Sequence, residues 1–459
     1  MKPELEQFIL TEKKPYLLTF LIEYKHELIR QFKCEKTLKK CALDCYDELW
    51  LKHNIQGNVS KYNKVDRHVW SALLKVRESP KEETSINQST TIVQVTSRSK
   101  KTSPGVYVLD SKIKDIHQYS LNDIRNGALI AGVDIKSHFV EYRKRSLECV
   151  KNHSFTDQQL LSLSNIVILS QSTPLEFVDK PTSASVYASL TAPLFSSLPS
   201  LSTDVLNQIK SAFTAYTANN NALLFSRTLI NLAETSTDPI LEPILLSFVT
   251  LVSEIVPFTL HDMSEMQLQT SFIHPLIRGL TKSSSSIVSH CSNKTAFESE
   301  HSILHCRPDY RVDVYTSAGV YDGTNMFGEL KPASASADDV KCDFHKCMSL
   351  GKVALKYAKS PYTMTFTSYH DRLHFYLHHS LNSDLTYALH LHSLTVPLTA
   401  NTFHSFNTML PQLYQIAQIF HSFCMPSNSA SPNSDSSATV PYPIIKTLIN
   451  HNKKRKISH

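Results

Sequence analysis

Two segments constrain this 459-residue chain more than any others: Arg307-Pro308-Asp309-Tyr310-Arg311-Val312-Asp313-Val314-Tyr315 and Met326-Phe327-Gly328-Glu329-Leu330-Lys331-Pro332. Both read as strands, and the interval between them, with Asp322-Gly323, reads as a turn. Side chains alternate across a strand, so Glu329 and Lys331 emerge side by side on one face. Leu330 points to the other face, into a core. Pairing the strands about the turn brings Asp309 next to that couple, or Asp313, which shares its face.

Glycine usage supports turns at this place. The chain has only nine glycines, against roughly 7% in ordinary proteins, and Gly319, Gly323, Gly328 and Gly351 fall in one window around the triplet. Neither Gly-x-x-x-x-Gly-Lys nor Gly-x-Gly-x-x-Gly occurs, which excludes the usual P-loop and dinucleotide-binding loops. The nine cysteines form no Cys-x-x-Cys pair, as expected for reduced thiols inside a cell. A net charge of +6 permits contact with nucleic acid without requiring it. No apolar run approaches the roughly 18 residues of a membrane span, and Met1-Lys2-Pro3-Glu4-Leu5-Glu6 lacks the apolar core of a secretory signal. The expectation is a protein without a membrane partner, and not a secreted one.

The length predicts two domains with tails. Residues 1–255 read as a mostly helical region, with patterns over 17–28, 35–50 and 66–77, a Ser/Thr/Lys-rich linker at about 79–104, and a long helix from near Leu121 to Lys151. Further helices are expected over 156–169, 202–216, 221–235 and 239–256. From about residue 260 to 425 the texture becomes mixed. A helix runs from Glu265 to Leu280, then come the two strands, a helix from Asp338 to Ala358, strands over 362–369, 372–379 and 385–395, and a closing helix with Leu410, Leu413, Ile416, Ile419 and Phe420. Residues 426–459 read as a flexible linker and a basic tail.

Phosphodiester cleavage needs an attacking water, charge neutralisation on the phosphate and help for the leaving oxygen. Mg²⁺ or Mn²⁺ supplies most of this, and hard carboxylate oxygens are its natural ligands. Asp309 and Glu329 are the candidate ligands, with Asp313 as the alternative acid. Lys331 is the candidate to orient or deprotonate the water, and Glu265 is placed to add a further carboxylate. An acid-x-Lys triplet alone means little: Glu12–Lys14, Asp110–Lys112 and Asp339–Lys341 repeat it. The competing reading makes Asp309 and Glu329 solvated residues on an open sheet face, with Lys331 as an ion-pair partner.

The order helix, strand, strand with Pro-Asp, strand with Glu-x-Lys, helix, strand resembles the PD-(D/E)XK nuclease superfamily. The stretch Gly328–Lys352 is similar to uncharacterised restriction-endonuclease-like domains of fungal proteins, which carry Gly-Glu-(apolar)-Lys-Pro followed by an Asp, a basic residue and a Lys on the next helix. Asp343, Lys346 and Lys352 stand at those places. The resemblance covers roughly 260–425 and implies an α/β, restriction-endonuclease-like domain with an αβββαβ core. It further implies Asp309 and Glu329 as metal ligands, Lys331 as catalytic, Glu265 as accessory acid, and Lys346, Lys352 and Arg307 as nucleic-acid contacts. Many members act as dimers, so a homodimer is among the expectations.

Other groupings carry less. Cys342, His345 and Cys347 lack the fourth zinc ligand that a structural site needs. Arg372, His374, Tyr376 and His378 read as one solvated or nucleic-acid-facing strand face. Arg143-Lys144-Arg145 falls late in a helix, where cations suit the dipole. Lys453-Lys454-Arg455-Lys456 reads as a nuclear-import signal. The expected function is Mg²⁺-dependent hydrolysis of phosphodiester bonds, in DNA before RNA, in the nucleus or otherwise the cytoplasm. The alternative is a catalytically inactive protein of the same fold, serving as a nucleic-acid-binding or protein-interaction module through its N-terminal helices.

Overall fold

The computed structural model describes residues 42–49, 129–152, 154–255, 263–292, 295, 306–357, 360–380, 384–426 and 439–456. The chain divides into two compact units, 1–100 and 101–459. In the first, residues 42–49 form a helix that buries Ala42, Tyr46 and Leu49, one apolar face at helical spacing. The other expected helices before residue 100, and the linker at 79–104, lie outside the described residues.

The second unit is an α/β structure. Strands β1 (Leu129–Ile130) and β2 (Val133–Asp134) form a small hairpin about Ala131 and Gly132, both in the left-handed region. Helix α1 (Ile135–Lys151) begins there, because the Asp134 side chain accepts from the Ser137 N–H and caps it. The expected start near Leu121 lies outside the described residues. Next come α2 (Asp157–Ser162), β3 (Ile166–Leu169), α3 (Lys180–Ser196), α4 (Thr203–Asn219), α5 (Ala222–Thr235) and α6 (Leu241–Glu254).

Two expectations for this stretch need correction. The single helix over 156–169 is instead a two-turn helix and a strand, divided at Asn165 with φ 55°. Ile166, Val167 and Ile168 are β-branched, the run Ile166–Leu169 is buried except for the half-buried Ile168, and so short an apolar run has no period that separates strand from helix. Helix α3, where no element was expected, carries Pro193 in its interior and a weakly amphipathic face.

Helix α7 opens at Glu265–Gln267, passes through a π-helical turn over Leu268–Ile273 and continues over His274–Thr281. Pro275 follows that turn and cannot donate to the carbonyl four residues back, which leaves room for the wider turn. Then come β4 (Ile287–Cys291), β5 (Tyr310–Tyr315), β6 (Tyr321–Lys331), α8 (Ala337–Tyr357), β7 (Tyr362–Tyr369), β8 (Arg372–His379), β9 (Thr386–Thr395), α9 (Ala400–Phe403), α10 (Phe406–Phe423) and α11 (Tyr442–Lys456).

Among the described residues, seven strands make one mixed sheet in the order β3-β9-β8-β7-β6-β5-β4. The β4–β5 and β5–β6 pairs are antiparallel, whereas α8 crosses over to lay β7 parallel to β6. At the far edge β3 lies parallel to β9, with Ile166 opposite Thr386. Residues from 129 to 255 therefore belong to the same unit as the sheet, and the expected division near 255 is replaced by one at residue 100.

Alternation along β6 sorts the two faces. Met326 and Leu330 join the large core with α6, α7 and α10, while Phe327 faces Leu350, Val353 and Ala354 of α8. Gly328 has no room for a side chain, because a Cβ there would lie 2.1 Å from the Phe366 ring tip.

The linker expected from residue 426 lies, over 427–438, outside the described residues, whereas the basic tail expected after it is part of a docked helix. Val440, Ile444, Ile445, Leu448 and Ile449 are buried against Leu147, Val150, Leu160, Leu163 and Cys342. The main chain of α11 is helical through Lys456. No described helix is long and apolar enough to cross a membrane.

Candidate metal centre

Three elements converge where β6 ends. Glu329 and Lys331 leave its last three residues on the α8 side, Asp309 directly precedes β5, and Asp343 projects from the second turn of α8. One carboxylate oxygen from each of Asp309, Glu329 and Asp343 lies within 4.8 Å of the others, the one such His/Cys/Asp/Glu group among the described residues.

Backbone contacts hold Asp309 in place. Its Oδ2 accepts from Leu330 N at 3.0 Å, and its own carbonyl accepts from Gln269 Nε2 at 2.5 Å and from Ser292 N at 2.8 Å. Gln269 lies in the π-helical turn of α7, so that irregular turn aims an amide at the acid-bearing loop. One turn earlier, Glu265 Oε2 reaches Lys331 Nζ at 2.9 Å.

Lys331 is the hub of the cluster. Its ammonium lies 2.7 Å from Asp343 Oδ2, 2.9 Å from Glu265 and 3.8 Å from Asp309, and it donates to the Leu330 carbonyl at 2.8 Å. Burial works against its charge, but Asp343, Glu265 and Asp309 outweigh burial and hold its pKa above the ordinary lysine value. Lys346, one turn along α8 from Asp343, is ion-paired with Glu329 and donates to the Arg307 carbonyl at 3.0 Å. Burial opposes its charge too, and Glu329, Asp343 and Asp309 overcome it.

Glu329 is 1% exposed. Burial and the neighbouring Asp309 charge raise its pKa well above the usual carboxylate range, against the pull of Lys346. Asp343 is raised by burial as well, with Lys346 and Lys331 opposing. The solvated-face reading of Glu329 is therefore wrong. Its Oε1 is buried without a hydrogen-bond or ion-pair partner among the described residues, a costly state for a carboxylate oxygen. Four carboxyl groups face two lysines here, so oxygen ligands outnumber the cationic groups that pair with them.

The remaining candidates fall elsewhere. Asp313 does not join the cluster. A register shift between Val312 and Asp313 sets it opposite Thr324, five residues back along β6 from Glu329, roughly 17 Å at strand rise. Its carboxylate is buried and takes Thr324 Oγ1 at 2.7 Å, Arg311 at 3.1 Å and His290 at 3.2 Å. Lys352 is no surface contact: it is buried and donates to the Ser164 carbonyl at 2.7 Å. Lys346 faces inward onto Glu329 rather than outward, while the Arg307 side chain is exposed. Helix α11 carries Lys453-Lys454-Arg455-Lys456 in its last turns.

The Cys342–His345–Cys347 grouping disperses. Cys342 packs against α11, Cys347 Sγ donates to the Phe366 carbonyl at 3.2 Å, and His345 Nε2 meets Asp157 Oδ1 at 3.1 Å. Along β8 the expected common face is graded in burial: Arg372 is exposed, His374 and Tyr376 are half-buried, and His378 lies inside the protein. His378 is fully buried against Thr365 Oγ1 at 2.8 Å, and burial drives its pKa down to about 3. Arg143 is likewise buried, bound to Asn165 Oδ1 at 2.5 Å.

No family model, curated protein or solved structure matches the chain. Any functional reading therefore rests on this geometry. Sequence reasoning missed Gln269 and did not count Asp343 among the ligands. Asp343 was within reach, since it lies three residues before Lys346, one helical turn away.

Proposed function

We propose that this centre binds a divalent cation and hydrolyses phosphodiester bonds in nucleic acid, DNA before RNA, on a fold resembling the PD-(D/E)XK nucleases. The observation that carries the reading is the buried meeting of Asp309, Glu329 and Asp343 beside Lys331, with Glu329 Oε1 lacking a partner. All-oxygen donors that outnumber their lysine partners suit Mg²⁺ or Mn²⁺. Bound there, such an ion would neutralise phosphate charge and lower the pKa of a water. Asp309, fixed through its main chain, and Asp343, on a long helix, are rigid supports for a ligand set.

Lys331 stays charged beside three acids, so its role is to orient the water and offset charge on the phosphate rather than to take a proton. Glu265 holds that ammonium from the side of α7. Lys346 neutralises Glu329 while no ion is bound, and its long stem allows it to turn toward a phosphate when one is. The basic run at Lys453–Lys456 fits action in the nucleus.

The two inward ion pairs, Lys346–Glu329 and Lys331–Asp343, also suit a second reading, an inactive member of such a fold that has internalised its charges and serves as a binding module. The test is to incubate full-length protein with labelled duplex, single-stranded and branched DNA and with RNA, in Mg²⁺, Mn²⁺ or EDTA. Metal-dependent cleavage that Asp309→Asn and Asp343→Asn abolish is the expected result. No cleavage by folded protein, with no metal bound, would favour the module.

A further inference from the structure

A cleft of about 320 Å³ opens directly off the acid cluster, with Glu329, Lys331 and Asp343 forming one end. That volume is at the small end of ligand sites, which run from roughly 300 Å³ upward. The rest of its wall is unlike the acid end. Phe344 from α8, Tyr369 from the end of β7, and His374 and Tyr376 from β8 give it four aromatic rings.

Tyr376 packs edge-on against Phe344, with centroids 5.9 Å apart, and its hydroxyl has no protein partner among the described residues. His374 is tied through Nδ1 to Ser393 Oγ at 2.7 Å, and burial with the nearby Arg372 lowers its pKa, so the ring is neutral at pH 7. Tyr369 is 41% exposed, an aromatic side chain left open to solvent. Val340, Thr367 and Ser368 also line the wall, and two charged groups stand in it: Asp157, held by His345, and Lys341, which is exposed.

We infer that this cleft receives the base of an unpaired nucleotide beside the phosphate held at the acid cluster. Aromatic walls match the face of a base, and such stacking accepts any base. Asp157 can accept from an exocyclic amino group, and Lys341 can meet a neighbouring phosphate. In an intact duplex both faces of each base are covered by its neighbours, so only a single strand, a frayed end or a flipped nucleotide presents a face to these rings. The inference rests on the nuclease reading and narrows its substrate to strands with unpaired nucleotides.

Binding separates the two ideas. Fluorescein-labelled DNA 12-mers would be titrated by anisotropy into the full-length protein carrying Asp309→Asn, so that the strand stays intact. The probes are a single strand, the same strand with every base replaced by an abasic residue, and the blunt duplex. The base-bearing strand is expected to bind about tenfold tighter than the abasic one. Tyr376→Leu should erase that difference, and so should Tyr369→Ala, an exposed position that leaves the core intact. Equal affinity for the base-bearing and abasic strands overturns the inference, as does a duplex bound as tightly as the single strand. A base preference that both tyrosine variants lose, in a protein whose wild type cleaves nothing, would keep the base cleft and remove the nuclease reading.

Discussion

Lys346 on α8 reaches across to Glu329 on β6 and pairs with it inside the protein. The carboxylate sits on the inward-alternating side of a central strand, and the lysine is its nearest cation. Replacing Lys346 by Met should therefore leave a buried carboxylate without its counter-charge. We expect a loss of about 3–5 kcal/mol in urea unfolding. The double variant with Glu329→Gln should recover much of that loss, and no recovery would mean that the pair is not energetically coupled.

The same carboxylate gives a pH signature. Glu329 holds its proton more tightly in the folded protein than in the unfolded chain, because of burial first and Asp309 second. Above the unfolded value of roughly 4.3, the unfolded chain has released that proton while the folded protein retains it, so stability falls as pH rises toward the folded value. In EDTA, wild-type stability should decline from about pH 4 upward relative to Glu329→Gln, read as the gap between their urea midpoints. A gap that stays constant with pH would show that Glu329 titrates normally.

Asp343 and Asp313 should behave oppositely. Mn²⁺ is expected to raise the Tm of the wild type and of Asp313→Asn, and to leave that of Asp343→Asn unchanged, since only Asp343 belongs to the ligand set. Asp313→Asn should itself cost about 1–3 kcal/mol, because it weakens buried contacts to Arg311, His290 and Thr324. A Mn²⁺ response lost in Asp313→Asn and kept in Asp343→Asn would reverse the assignment.

How far the sequence carried the structure depends on the kind of signal. Glu329, Leu330 and Lys331 fell on the expected faces because period-2 alternation is set by backbone geometry alone. Asp309 and Asp313 looked equivalent for the same reason. The register that parts them, with Tyr310 opposite Gly328 and Asp313 opposite Thr324, is a pairing event between strands and leaves no mark in the strand's own residues. Lys352 and Lys346 read as surface cations, because a lone lysine carries no sign of the carbonyl or carboxylate that will bury it. Strand β3 was hidden because four apolar residues fit two periods, and its partner β9 lies about 220 residues further along the chain.

The C-terminal helix was obscured by the Ser-rich stretch before it. Composition marked a linker, and the apolar spacing of Ile444, Ile445, Leu448 and Ile449 beyond it was overlooked. Those residues close a core against α1, α2 and α8. Leu448→Ala should destabilise the protein by about 2–5 kcal/mol in urea unfolding. A change within experimental error would mean that α11 does not stay docked in solution.

The most direct measurement is the rate of Mg²⁺-dependent cleavage of labelled single-stranded and duplex DNA by wild type, Glu329→Gln and Lys331→Ala side by side. Cleavage by the wild type that EDTA stops, and that each variant lowers at least about a hundredfold, the upper end of what even outer-shell partners of a metal cost, is the predicted result. Wild-type cleavage that survives in Glu329→Gln would contradict the assignment of the reaction to this centre.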